Sequence, residues 1–290
     1  MKFLLLLLSV LTAQSTPALP DWLDPQVFEM NREPMHTSFT VDKSERLPLN
    51  GVWKFNFNEE AEGRPADFFL SGYDDSSWGE IPVPGIWELN GYGDPVYSNK
   101  GYAWDNVFVD CPPTVPQFNN HRGLYRRYID VPATWRGKQI FVHIGSATSN
   151  LKMWVNGKMV GYSEDSKLEA VFDITKYIKA GQPNLFAMEI HRWCDGSYLE
   201  DQDFWRLSGI ARDCYIYARE KAHIKDVKYS AALANDYQDG VLDINVDVTT
   251  GVKWVEVVLC DANDNPYYKT RLTPKAGKAS AIVEIKNVNT

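Results

Sequence analysis

Asp195-Gly-Ser-Tyr-Leu-Glu-Asp-Gln-Asp-Phe-Trp-Arg-Leu-Ser-Gly209 is the stretch of this 290-residue chain with the densest chemistry. It brings together the carboxylates of Asp195, Glu200, Asp201 and Asp203, the rings of Phe204 and Trp205, and the guanidinium of Arg206. Such a segment can offer oxygen ligands to a hard cation or hydrogen-bond acceptors to sugar hydroxyls. The plainer alternative is a solvated acidic loop with Arg206 held in a structural ion pair. Other chemistries find little support. The chain has no metal-binding helix motif, phosphate-cradling glycine loop or nucleophile elbow. The five histidines, at 36, 121, 143, 191 and 223, stand at no metal-ligand spacing. The four cysteines, at 111, 194, 214 and 260, form no C-x-x-C pair. Cys194 and Cys214 can bond if their strands are neighbours; buried unpaired thiols are the other reading.

The elements that must position the acidic loop read as strands. In Gly51-Val-Trp-Lys-Phe-Asn-Phe57, Trp53, Phe55 and Phe57 alternate with Val52, Lys54 and Asn56, the period of a half-buried strand. Residues 58–122 are long, irregular and rich in Gly, Pro, Asp and Asn, and so large a loop region is expected to be functional. Strands return at 124–131, 139–144 and 150–155. Asn156-Gly157 supplies the two positive-φ residues of a type I′ hairpin that pairs 151–155 with 158–162. Asp173 is placed to cap a single helical turn running through Lys179 and closed by Gly181. Segments 184–192 and 212–219 complete the set. The expectation is an all-β fold, a jelly-roll β-sandwich over 51–220. An extended, proline-bearing arm over 21–50 lies across it. After Glu220, alternating segments at 223–231, 241–249, 252–260 and 279–285 suggest an immunoglobulin-like β-sandwich. Such a sandwich takes about 100 residues, so 221–290 is expected to hold an incomplete one.

Composition narrows the function classes. The formal net charge is −8 and no run of five basic residues occurs, which disfavours nucleic-acid binding. Aromatics make up 13% of residues, with 10 Trp and 15 Tyr, as expected of many short strands. No apolar run reaches the 18 or more residues of a membrane span. Met1-Lys2, an apolar stretch from Phe3 to Leu11, and Ala13-Gln-Ser15 read as a secretory signal peptide within residues 1–20. A mature start between Gln14 and Asp21 and a periplasmic or extracellular location follow.

The run Asp195–Ile210 closely resembles the signature of the β-galactosidases of glycoside hydrolase family 2. Further matches occur in family order: Asn31-Arg-Glu-Pro-Met35, Leu49-Asn-Gly-Val-Trp-Lys-Phe55, Pro82-Val-Pro-Gly-Ile-Trp87, Asp94-Pro-Val-Tyr-Ser-Asn99 and Trp154-Val-Asn-Gly-Lys-Met-Val-Gly-Tyr-Ser-Glu-Asp-Ser166. The resemblance implies a sugar-binding jelly roll, an immunoglobulin-like domain and then a catalytic (β/α)₈ barrel, with retaining hydrolysis of terminal β-D-galactosides. It places two catalytic glutamates and a magnesium site in the barrel. A barrel takes about 250 residues, so this chain is expected to be an N-terminal part, inactive alone, with no catalytic residue of its own.

Two site residues carry over from the resemblance. Asn99 matches an asparagine that reaches the galactosyl hydroxyls. Asp203 matches an aspartate that contacts the sugar near its 6-hydroxyl and ligates a sodium ion. Trp205 and Arg206 are read as packing and ion-pair supports of that loop. The segment 100–110 is longer than in well-known members, which leaves its effect on substrate choice open. The implied partners are a galactoside and the remaining family domains, with an oligomer possible for the full-length enzyme. Two other readings stand: a carbohydrate-binding module without catalysis, and a family 2 glucuronidase or mannosidase fragment.

Overall fold

The computed structural model describes residues 19–35, 46–105 and 107–288. The expected signal segment lies outside these, apart from residues 19 and 20. The described chain is all-β, as expected. A seven-stranded antiparallel sheet runs in the order Glu29–Met30, Lys158–Glu164, Asn150–Val155, Pro183–His191, Arg122–Asp130, Gly51–Asn58, Gly79–Val83. A four-stranded sheet runs Ala170–Asp173, Gln139–Ile144, Cys214–Arg219, Arg46–Pro48. Their facing sides enclose one large cluster that includes Trp53, Phe55, Tyr125, Met153, Phe172 and Phe186.

Local chemistry explains the pairings. Trp53 and Phe55 are buried while Val52 between strand neighbours is 58% exposed, the alternation read from the residue types. Asn156 and Gly157 take φ values of 51° and 80°, and the hairpin closes with Lys158 opposite Val155. After Asp173 a single turn forms, with the Tyr177 amide donating to the Ile174 carbonyl at 2.9 Å, but no helix continues through Lys179. Asp173 Oδ1 caps it, accepting from the Thr175 amide at 2.9 Å. The Asn184 side chain then takes the Lys179 amide at 2.8 Å, and Asn156 donates to the Tyr177 carbonyl at 2.9 Å. These amide side chains satisfy the backbone groups that a helix would have paired. Cys194 and Cys214 are buried free thiols, so no disulfide joins them, and Cys111 and Cys260 are exposed rather than buried.

The segment 58–122 is less irregular than its composition suggests. It contributes Gly79–Val83 to the large sheet and the short strands Gly85–Ile86 and Val96–Ser98 elsewhere. From Ile224 onward, Ile224–Ala234, Asp239–Val248 and Lys278–Ile285 form one sheet, and Val255–Cys260 pairs with Pro266–Leu272. The Pro266–Leu272 strand escaped the sequence reading, its apolar signal broken by Lys269 and Arg271. Both of those cations bridge to Glu256 across the ladder, at 3.0 and 3.2 Å.

Trp87 fastens the loop segment to the sandwich. It is fully buried, its indole N–H donates to the Tyr125 hydroxyl, and its amide donates to the Ser208 carbonyl at 3.0 Å. Gly123 leaves the space it needs: a Cβ there would stand 2.5 Å from Trp87 Cζ2 and 2.7 Å from Phe55 Cε2. Neither ring can retreat from a packed core. Gly123→Ala should therefore cost about 1–3 kcal/mol by overpacking, read as a lowered urea midpoint. An unchanged midpoint would show that the rings yield.

Candidate sugar site

Two short ladders bring the acidic loop to the loop segment. Gly209–Ile210 pairs with Gly85–Ile86, and Phe204–Arg206 pairs with Val96–Ser98. In the second ladder Phe204 lies opposite Ser98 and Trp205 opposite Tyr97. The ladder ends at Phe204 and Ser98: Asp203 and Asn99 each lie one residue beyond it, where both segments bend. The ladder thus brings together two segments more than 100 positions apart in sequence, and Asn99 and Asp203 at its end are both exposed. The Tyr97 hydroxyl donates to Asp203 Oδ1 at 3.0 Å, and this acceptor pushes the Tyr97 phenol pKa up. Trp205 is 52% exposed and packs on Tyr97 with ring centroids 5.4 Å apart. It is therefore more open than a purely packing role required. Asn99 offers an amide donor and acceptor, Asp203 a carboxylate, and the two rings an apolar surface. That set suits a sugar.

The ends of the loop are held tightly. Arg206 Nη2 pairs with Asp201 Oδ1 at 2.7 Å, the ion-pair support read from the sequence. Burial raises the Asp201 pKa and Arg206 draws it back down. Glu200 accepts from the Ser166 amide at 2.7 Å and from its hydroxyl. The Ser208 amide donates to Glu88 Oε2 at 3.0 Å.

Beneath the loop lies a group that sequence reasoning missed. Ligand atoms of Glu164, Cys194 and Asp195, all buried, lie within 4.8 Å of one another. The Tyr162 hydroxyl donates to Glu164 Oε1 at 2.7 Å. Burial first, with Asp195 nearby, pushes the Glu164 pKa up to about 8, and burial also raises Asp195. Two carboxyls so placed can share a proton, and the spacing would also admit a hard cation. No residue pattern marked it: Glu164 ends a strand that is buried from Val160 onward, and that burial shows only in the fold.

The model of the glycosyl hydrolases family 2 sugar binding domain matches residues 47–220, well over half the chain. The chain belongs to glycosyl hydrolase family 2. Among curated relatives, the beta-galactosidase of Priestia megaterium (strain DSM 319 / IMG 1521) is 38% identical over 265 residues, covering 84% of this chain and 25% of the relative. That of Clostridium acetobutylicum is 31% identical over 282 residues, covering 93% of this chain and 31% of the relative. The chain thus spans about a quarter of the length of the first of these family 2 relatives. Among solved structures, Bifidobacterium dentium beta-glucuronidase superposes with a TM-score of 0.63 at 16% identity, over 87% of this chain and 43% of that one. At that identity the likeness is one of fold.

The Glu164 shift has a consequence for this family 2 chain. A carboxyl whose folded pKa is raised to about 8 from 4.5 keeps its proton in the folded state after the unfolded state has lost it. Its contribution to stability is full below about 4.5 and is lost as pH rises through about 8, at up to ~1.4 kcal/mol per pH unit. Urea unfolding between pH 5 and 8, without divalent cations, should show that decline, and Glu164→Gln should flatten it. The same slope in both proteins would assign the proton elsewhere.

Proposed function

We propose that the chain is the N-terminal part of an exported β-galactosidase, which hydrolyses terminal β-D-galactosides with retention. The observation that carries this reading is the ladder between 96–98 and 204–206 with the Tyr97–Asp203 hydrogen bond across it, which joins the two segments that hold Asn99 and Asp203. The beta-galactosidase names of the relatives supply the substrate class. In this reading Asn99 donates to and accepts from galactosyl hydroxyls, and Asp203 accepts from the hydroxyl near carbon 6. Tyr97 orients the Asp203 carboxylate through its hydrogen bond, and Trp205 lines the approach.

A sodium ion fits this donor set in part. Asp203 is exposed, and Tyr97 engages one of its oxygens, so the carboxylate has capacity for a hard cation. Asp203 would hold the ion, with the remaining oxygens coming from other segments and from the sugar. Bound there, the ion would supply positive charge that fixes a sugar hydroxyl. The retaining reaction needs two carboxyls about 5 Å apart. In the proposal these, and a magnesium site, belong to a (β/α)₈ barrel that partners this region. The chain alone is then inactive.

The purified chain should not turn over a chromogenic β-galactoside. In the full-length enzyme, Asn99→Ala and Asp203→Ala should each lower kcat/KM by roughly 10- to 100-fold, the worth of a hydrogen bond involving charge. Asp203→Ala should also abolish any dependence on sodium. Turnover by the chain alone that Asp203→Ala removes would overturn the division of labour. Galactoside binding by the chain, with no effect of either substitution in the full-length enzyme, would favour a binding module that uses Tyr97 and Trp205. Sequencing the amino terminus of the secreted product, expected between Gln14 and Asp21, tests export.

A further inference from the structure

A second polar cavity, of about 570 Å³, lies on the outer face of the seven-stranded sheet, away from Asn99 and Asp203. The strands Arg122–Asp130, Pro183–His191 and Asn150–Val155 form its floor. There Arg122 lies opposite His191 and Glu189 opposite Lys152. Residues 61–66 and the arm residues Asp21 and Trp22 wall it. Trp22 stacks on His191, centroids 5.0 Å apart, and its carbonyl accepts from the Asp195 amide at 3.1 Å.

The charges in this cavity are unequally matched. Lys152 pairs with Asp21, and Arg64 Nε pairs with Glu189 Oε1 at 3.2 Å. His191 is fully enclosed and neutral, its pKa lowered to about 3 by burial and then by Arg122. Glu62 stands exposed at the rim, where solvent screens it. Arg122 shares Glu189 with Arg64 and has no ion pair of its own among the described residues. It is 1% exposed and permanently charged, and only its Nη1 is engaged, donating to the Ala61 carbonyl at 2.8 Å. Its Nε and Nη2 have no partner among the described residues, nor has Nη1 of Arg64. Nε and Nη2 form one edge of the guanidinium. That edge is a two-donor fork matched to two oxygens on one carbon or phosphorus atom.

We propose that this cavity binds a small oxyanion, a carboxylate or phosphate group, taken side-on by the Nε–Nη2 edge of Arg122 with Arg64 beside it. A buried guanidinium with two unsatisfied donors is costly, and an acceptor-only anion answers both deficits. A halide would have to share one acceptor between the two donors, whereas an oxyanion gives each donor its own oxygen. The cavity is larger than a bare carboxylate, so the group can be carried on a small organic molecule. The bound anion would tie the arm at Asp21 and Trp22 to the sheet, independently of the sugar site.

Isothermal titration of the full chain with acetate, gluconate and inorganic phosphate, at constant ionic strength against chloride, tests this. Saturable binding of at least one oxyanion, without binding of chloride, is expected. The three arms separate a simple carboxylate, a hydroxylated one and a phosphate. Arg122→Gln should abolish the binding. Glu189→Gln removes a competing buried carboxylate and should tighten it at least tenfold. Should Arg122→Gln fail to fold, Arg64→Gln, at a partly exposed position, should weaken it at least fivefold. No saturable binding of any of the three, an equal response to chloride, or unchanged affinity in these variants would overturn the proposal.

Discussion

The long segment between the strands Gly51–Asn58 and Arg122–Asp130 has to satisfy its backbone without a regular ladder, and arginines do much of that. Buried carbonyls need donors, and one guanidinium supplies five. Arg126, 2% exposed, donates to the carbonyls of Phe68 and Leu70 and pairs with Asp75 at 2.7 Å. Arg127 donates to the carbonyls of Leu49 and Asn50, each at 3.0 Å. Arg192 reaches the carbonyl of Asp94 at 3.0 Å, just before the strand that carries the site. The strands thus hold the loops by side chains where backbone pairing is unavailable. Replacing any of these arginines by lysine would surrender several bonds at once.

Trp87 adds the apolar half of the same attachment. Its ring sits among Phe55, Phe57 and Tyr125, and its backbone joins Ser208 on the acidic loop. Gly209 must be glycine here on two counts. Its φ is 105°, and a Cβ would stand 2.7 Å from the Gly85 carbonyl and 2.9 Å from the Trp87 ring. The ladder of Gly85–Ile86 with Gly209–Ile210 is therefore an extension of the core rather than a free loop.

Local signals in the sequence were legible where one residue type has one conformational use. Asn156-Gly157 is such a case, and so is the aromatic alternation at Trp53 and Phe55. Asp173 marked the start of a turn but not its length, because the same side chain can cap a helix or close an Asx turn. The side chains that decided between them, Asn156 and Asn184, are distant in sequence. The resemblance pointed to Asn99 and Asp203 separately, but only strand pairing shows that the segments carrying them lie side by side. Glu164 and Arg122 gave no signal of their own. Their importance lies in burial, and burial of a charged residue on a sheet's covered outer face cannot be read from an alternating pattern.

The acidic loop shows how position assigns different work to chemically equal groups. Asp195 and Glu200 lie at its enclosed end, where burial raises both pKa values and hydrogen bonds or proton sharing must compensate. They hold the loop down, through Ser166 on one side and Glu164 on the other. Asp203 lies at the open end, in water, held by one phenol. A carboxylate kept solvated avoids the desolvation penalty until a ligand arrives, and it retains acceptor capacity for that ligand. The fixed end provides geometry and the exposed end provides binding capacity. A loop with all four carboxylates exposed would offer more charge but no defined place for it.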